Sequence, residues 1–452
     1  MIKELLTKDE GKTLEFKENS RSKGNIIRTI VAFANTAGGA LVIGVRDKTR
    51  EVIGVPDPLM EEEKISNMIA DGIRPALIPD IQIISWRDRE LVVLSIPHTV
   101  GPFYIETEGP EKGVYIRLGS TNRRAGPEMI EQIRRLARNT CFDELPCTEI
   151  NSEAIDFRAA SEFFSKMSRQ LTSPRMKTLG LLKDFRGREV PTQGAVLLFG
   201  KTRLNLFPDA VIRCARFRGR DTARFIDQTE IDEYLPGAID RAISFIERHT
   251  IHSIEIGRVQ RRDIPQYPTE AIREAVINAI VHCDYSISGM EIKIGIFDDR
   301  IEITNPGILP FGLTIDAAMA GVSRLRNRVI GRVFRELKLI EQWGSGINRI
   351  LTACREAGLN PPRFEELGTS FRVTLFSEAT RPKTIPEWQK RLMEFLDKNH
   401  EISTKEAAGL WKTSDRTART RLRKLVNEGL LSEIGTGPKD PKRTYAQRRR
   451  IQ

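Results

Sequence analysis

The sequence predicts a multidomain α+β protein, on three observations. Its 452 residues suffice for two to four domains at roughly 100–200 residues each. Strand-like and helix-like apolar periodicities alternate through most of the chain. A stretch rich in Pro, Thr and charge, Glu378–Glu387, then sets off a small basic unit. The divisions expected are 1–145, 146–380 and 381–452.

Composition narrows the class. Hydrophobic residues make up 40% and charged residues 29%, which excludes a disordered or membrane-embedded chain. The longest apolar runs, Ala40–Val45 and Ala195–Phe199, fall far short of the ~18 residues a membrane span needs. The opening MIKELLTKDE lacks the apolar core of a secretory signal. Cys141, Cys147, Cys214, Cys283 and Cys354 make no CxxC pair and are odd in number. That argues against a disulfide framework or zinc finger and for a reducing, cytoplasmic setting. The net charge is +11 and is unevenly spread. Residues 381–452 hold 18 basic and 9 acidic side chains, a balance of +9. Residues 265–380 hold 13 and 14, or −1, which leaves +3 for the first 264. A concentrated basic segment points to a polyanionic partner, most often nucleic acid.

In the N-terminal unit, GKTLEFK (Gly11–Lys17) alternates, with Leu14 and Phe16 on one face and Glu15 and Lys17 on the other. Asn25–Ala34 forms an apolar helix, stopped by Asn35–Gly39. Ala40–Val45 is a buried strand, followed by Arg46 and Asp47. LVVLSIP, VYIRLGSTNRRA and PEMIEQIRRLARN read as a strand, a hairpin and a closing helix. Arg123 and Arg124, with Arg117, Ser120 and Thr121, suit phosphate contacts by charge and hydroxyl.

In the middle, GAVLLFGK (Gly194–Lys201) and AVIRCARFRGRD (Ala210–Asp221) read as buried strands. Pro268 and Thr269 open a helix whose Ile272, Val276, Ile277 and Ile280 line one face. Glu274, Asn278 and His282 recur every four residues and share another. Two strands follow, EIKIGIFDD and RIEITNPG, and Asn305–Gly307 makes a tight loop. Arg324–Arg328 precede a further helix, and Gly344–Gly346 open another.

In the last unit, Trp388, Leu392, Phe395 and Leu396 recur at helical spacing. Ser403–Glu406 is a capping box for a second helix. Ser414 caps a third, with Ala418, Leu422 and Leu425 inward and Arg416, Thr417, Thr420, Arg421 and Lys424 outward. LLSEI and TYA flank a turn carrying Lys439, Lys442 and Arg443.

These motifs carry three resemblances. LEFK, AFANTAGGALVIGV and YIRLGSTNRRA, in that order, resemble the Schlafen AlbA-like domain over roughly residues 1–135. The resemblance implies a nucleic-acid-binding domain. Schlafen nucleases of animals cut structured RNA with three carboxylates, and Glu10, Glu15 and Asp47 fill those positions here. Carboxylates that converge there would hold Mn2+ or Mg2+ and activate water. This sets an alternative reading, a metal-dependent endoribonuclease acting on transfer RNA or other RNA in stress or phage defence. Glu15 can instead pair with Lys17 or Arg124.

The middle resembles the GHKL nucleotide-binding fold, and more closely bacterial "RecG-related" ATP-binding transcriptional regulators. That likeness implies ATP and Mg2+, with Glu274 as general base and Asn278 as the magnesium ligand. It puts Asn305, Gly307, Arg326, Gly344 and Gly346 at the nucleotide. Asn305 stands where that fold usually has Asp; an amide offers an acceptor oxygen without charge. No GxxxxGK[ST] loop occurs, which argues against a helicase.

The last unit resembles a winged helix-turn-helix, with the Arg416–Lys424 face for the major groove and Lys439, Lys442 and Arg443 for phosphates. Together these readings predict a cytoplasmic, ATP-binding transcriptional regulator of double-stranded DNA. ATPase turnover is left open, and paired half-sites imply a homo-oligomer.

Overall fold

The computed structural model describes residues 2–47, 49–250, 252–256, 261–340, 346–377, 386–435, 440 and 443–447, with side chains masked for 252–256 and 261–264. The chain forms two compact units, Met1–Arg134 with Arg381–Ile451, and Arg135–Thr380. The basic C-terminal segment, expected to stand apart, therefore belongs with the N-terminal domain. The first division falls inside the helix Pro127–Ala137, ahead of the boundary read from the sequence.

The first unit is built on a four-stranded sheet. Leu14–Lys17 lies parallel to Gly39–Ile43; Arg89–Ile96 and then Asp80–Trp86 continue it antiparallel. The parallel pair needs a crossover, which the helix Lys23–Thr36 supplies. On one sheet face Leu41, Ile43, Val92 and Leu94 pack with Ile27, Ile30 and Val31 of that helix. On the other, Leu14, Phe16, Val42, Leu91 and Val93 pack with Ile2 and Leu6. Burial on both faces explains why the central strand reads as a continuous apolar run.

The C-terminal module has helices Glu387–Asn399, Thr404–Leu410 and Asp415–Asn427. A three-stranded antiparallel sheet completes it, Glu401–Ser403, Thr444–Gln447 and Leu431–Ile434 in spatial order. Leu392, Leu396, Ala407, Ala418, Leu422, Leu425, Leu431 and Tyr445 make its core. Both expected caps are present: Ser403 with Glu406 as a capping box, and Ser414 Oγ accepting from Thr417 N at 3.3 Å.

The second unit carries a six-stranded sheet. Its order is Phe225–Ile231, Ile212–Phe217, Ile292–Ile296, Arg300–Pro306, Ser370–Phe376, Arg363–Leu367. Only Ile212–Phe217 and Ile292–Ile296 pair in parallel. Helices Leu235–His249, Thr269–His282 and Gly346–Glu356 pack with it through one large apolar core. Residues 194–199, expected as a strand, are instead the inner turns of a helix, Gln193–Phe199, capped by Thr192 at 3.2 Å from Ala195 N. Every residue from Gly194 to Phe199 is buried. An apolar run enclosed on all sides shows no period that separates strand from helix.

The helix Arg328–Glu336 starts without a side-chain cap from its own Asn327. Its free amides are met from far along the chain. Asp143, fully buried, accepts from Arg328 N at 3.0 Å, Val329 N at 2.6 Å and Ile330 N at 3.0 Å. Burial pushes its carboxyl up to about 7 despite the three amides, which pull it down. Asp143→Ala is expected to cost on the order of 2 kcal/mol, the scale of a lost cap with buried donors left open. Urea denaturation of the full chain measures it.

Candidate functional site

The long helix Thr269–His282 presents Glu274 and Asn278 on one face, four residues apart. Asn278 Nδ2 donates to Glu274 Oε1 at 3.2 Å, and Arg349 Nη1 lies 3.3 Å from Glu274 Oε2. Gly346, first residue of the helix Gly346–Glu356, sits against both. A Cβ there would fall inside contact distance of Glu274 Oε1 and 3.0 Å from Asn278 Nδ2. A side chain at that position would push the Glu274 carboxylate and the Asn278 amide out of the places they hold.

These groups open onto a cleft of the second unit. Ile303, Ile350, Phe364, Phe371 and Val373 line it with apolar surface, and Asn305 and Gly307 border it. Asn305 is buried, and its Nδ2 donates to Pro306 O at 3.0 Å. With the amide nitrogen so committed, Oδ1 is left as an acceptor.

The loop at Gly307 is held from behind. Asp284 Oδ2 accepts from Arg326 Nη1 at 2.8 Å, and Arg326 Nη2 also bonds Ile308 O. Asp284 N donates to Pro306 O at 2.9 Å, tying the helix end to the strand end. Asn327 Nδ2 bonds Val281 O and Cys283 O at 2.9 and 2.8 Å. Gly307 has φ +96°, and a Cβ there would meet Asp284 Cβ at 2.8 Å.

Arg326, expected at the nucleotide, is thus spent on this buried ion pair and does not line the cleft. The exposed Arg324 does, with Nη1 on Phe311 O at 2.6 Å. Arg335 and Arg349 are further cleft cations that the sequence reading did not single out. Gly344 lies outside the described residues. His282 also lines the cleft; its Nδ1 is buried with no hydrogen-bond partner among the described residues. Burial, helped by the charge of Arg326, lowers its imidazole to about 4, so it is neutral at physiological pH.

In the first unit, Glu10 Oε1 accepts from Phe16 N at 2.8 Å. Burial raises the Glu10 carboxyl, and the neighbouring Glu15 and Asp47, the latter in hydrogen-bond contact, raise it further. Glu15 itself is engaged by the fully buried Arg117 and by Lys17. Of the partners foreseen for Glu15, Lys17 is present, whereas Arg124 bonds Glu108 at 2.9 Å. Among the described residues no group of three His, Cys, Asp or Glu has metal-holding geometry. The three carboxylates are neighbours, but one is taken up by an arginine. Arg123 is exposed on the hairpin strand Thr121–Arg124.

On the helix Asp415–Asn427, Arg416, Thr417, Thr420 and Lys424 are exposed, joined by Arg419 and Arg423. Arg421, expected to face a groove, lies over the rings of Trp388 and Trp411 at 5.0 and 5.5 Å. Arg443, expected to hold phosphate, pairs with Glu433 at 2.6 Å. Lys439 and Lys442 lie outside the described residues. No described helix is long and apolar enough to cross a membrane.

Residues 10–126 match the family described as "Schlafen, AlbA_2". Residues 289–375 match the family described as "Putative ATP-dependent DNA helicase recG C-terminal". The first match covers the sheet of the first unit. The second covers Asn305, Gly307, Arg324 and Gly346 but stops short of Glu274 and Asn278. Among solved structures, the crystal structure of the DIP2311 protein from Corynebacterium diphtheriae is 18% identical, with a TM-score of 0.44 over 99% of this chain and 96% of that one. The solution structure of the N-terminal domain of a RecG-related protein from Nitrosomonas europaea is 28% identical, with a TM-score of 0.23 over 27% of this chain and 90% of that one.

The lowered imidazole of His282 gives a signed expectation. Its folded value, about 4, lies below the ordinary 6.5. The unfolded chain therefore takes up the proton first, and stability falls as pH drops from 6.5 toward 4, by an order of 3 kcal/mol. Thermal melts of wild type and His282→Leu between pH 7 and 4 are expected to diverge in slope, the wild type losing more.

Proposed function

We propose that the cleft of the second unit binds ATP with magnesium, and that the chain is a DNA-binding transcriptional regulator whose nucleotide state modulates its grip on DNA. The observation that carries this is the convergence of Glu274, Asn278 and Gly346 at one side of an apolar cleft bordered by Asn305. Phe364, Phe371 and Val373 offer a surface for a flat base. Asn305 Oδ1 would accept from an adenine amine. The start of the helix at Gly346 would offer backbone amides to phosphate. Asn278 supplies the oxygen a hard cation prefers, and Glu274, held by Arg349 and Asn278, would orient water for phosphoryl transfer.

The DNA-binding half of the reading rests on the C-terminal module, read as a winged helix-turn-helix. Its helix Asp415–Asn427 exposes four cations and two hydroxyls on the side away from its core. A second reading has one observation in its favour, the mutual influence of Glu10, Glu15 and Asp47. In it the N-terminal domain is a metal-dependent nuclease. Incubation with transfer RNA and manganese tests it; if Glu10→Ala cleaves as well as wild type, the carboxylates are not the catalyst.

Calorimetric titration with ATP and magnesium is expected to show saturable binding, weakened at least ~tenfold by Asn305→Ala, the scale of one buried hydrogen bond left unmade. A flat titration refutes the nucleotide site. For duplex DNA, Arg416→Ala and Lys424→Ala are each expected to lower the slope of log affinity against log salt by about 1. An unchanged slope removes that side chain from the interface.

A further inference from the structure

The hairpin of the C-terminal module has two different faces. Strand residues alternate sides, and here each side meets a different core. Leu431 and Tyr445 point into the module's own helices. Ser432, Ile434, Thr444 and Ala446 share the opposite face, since Ser432 pairs with Ala446 and Ile434 with Thr444 across the ladder. A solvated wing would make that face polar. Instead Ile434 and Ala446 are 4% and 2% exposed. They belong to one apolar cluster with Leu6, Leu14, Phe16, Val42, Trp86 and Val93 of the N-terminal domain.

Polar contacts ring this apolar patch. Val52 N donates to Gly435 O at 3.1 Å, joining backbone to backbone. Arg50 Nη1 reaches Ser432 Oγ at 3.0 Å. Arg87, in the turn between two strands of the N-terminal sheet and stacked over Trp86, donates to Thr444 Oγ1 at 3.1 Å. Its Nη1 lies 3.5 Å from Asp440, whose side chain is 4% exposed. Lys3 pairs with Glu401 at 3.1 Å. An apolar centre with a hydrogen-bonded rim is the anatomy of a specific interface.

We propose that this hairpin is a docking element whose partner is the N-terminal domain of the same chain. Its outward face completes the second layer over that domain's sheet, and nucleic acid is left to the exposed side of the helix Asp415–Asn427. The consequence for nucleic-acid binding rests on the reading of that helix given above; the docking itself does not.

Hydrogen exchange by mass spectrometry on the full chain tests it from both sides. Arg87→Ala alters a turn outside the sheet's core. It is expected to speed exchange in 431–435 and 444–447 by about tenfold, the scale of a lost charge-assisted bond in a local opening. Exchange in the helix Lys23–Thr36 is expected to stay unchanged, showing an intact N-terminal fold. Reciprocally, Ile434→Asp is expected to deprotect 41–53 and 86–93. Changes confined to the mutated segment in both variants overturn the docking. A duplex DNA titration on the same samples separates the two ideas: docking with no duplex binding leaves the docking standing and removes the DNA-binding reading.

Discussion

The cleft depends on the buried ion pair between Asp284 and Arg326, because that pair joins the end of the helix bearing Glu274 and Asn278 to the loop at Gly307 that follows the strand bearing Asn305. Both side chains are almost wholly out of water, at 4% and 8% exposure. Such a pair contributes little net stability, yet breaking it strands a buried charge at a cost of about 3–5 kcal/mol. Its value lies in placement. The Asp284 amide holds Pro306 O, Arg326 holds Ile308 O, and Ser286 satisfies the remaining carboxylate oxygen at 2.6 Å. The loop is thereby held in the shape that the positive φ of Gly307 permits.

Much of this was legible in the sequence. The four-residue step from Glu274 to Asn278 places both on one helical face whatever the tertiary structure. The caps at Ser403 and Ser414 follow from local chemistry alone. What could not be read was decided at long range. Arg324 and Arg326 are alternate members of one basic run, and nothing local says which turns inward to Asp284, which lies 42 residues before Arg326. Arg421 has the composition of a groove-facing residue, but Trp388 and Trp411 stack on it from two other elements. The run Gly194–Phe199 was ambiguous for a different reason: enclosure on every side erases the periodicity on which such readings rest.

The distribution of charge takes on a sharper meaning in the same light. The +9 of the last 72 residues is a property of the segment, not of its free surface. Arg443 is taken by Glu433 and Arg421 by two indole rings. Four outward cations, Arg416, Arg419, Arg423 and Lys424, lie on the helix Asp415–Asn427, others lie at Lys390, Arg391, Lys398, Lys405 and Lys412, and the hairpin is engaged with the N-terminal domain. The first unit thus joins the two ends of the chain, while the near-neutral second unit holds the cleft.

A structure of the full chain determined at saturating ATP and magnesium decides whether Glu274, Asn278, Asn305 and Gly346 build a nucleotide site. The adenine amine within hydrogen-bond reach of Asn305 Oδ1, with the phosphates toward Asn278 and the helix start at Gly346, is the predicted result. An empty cleft, or a nucleotide held anywhere else, contradicts it.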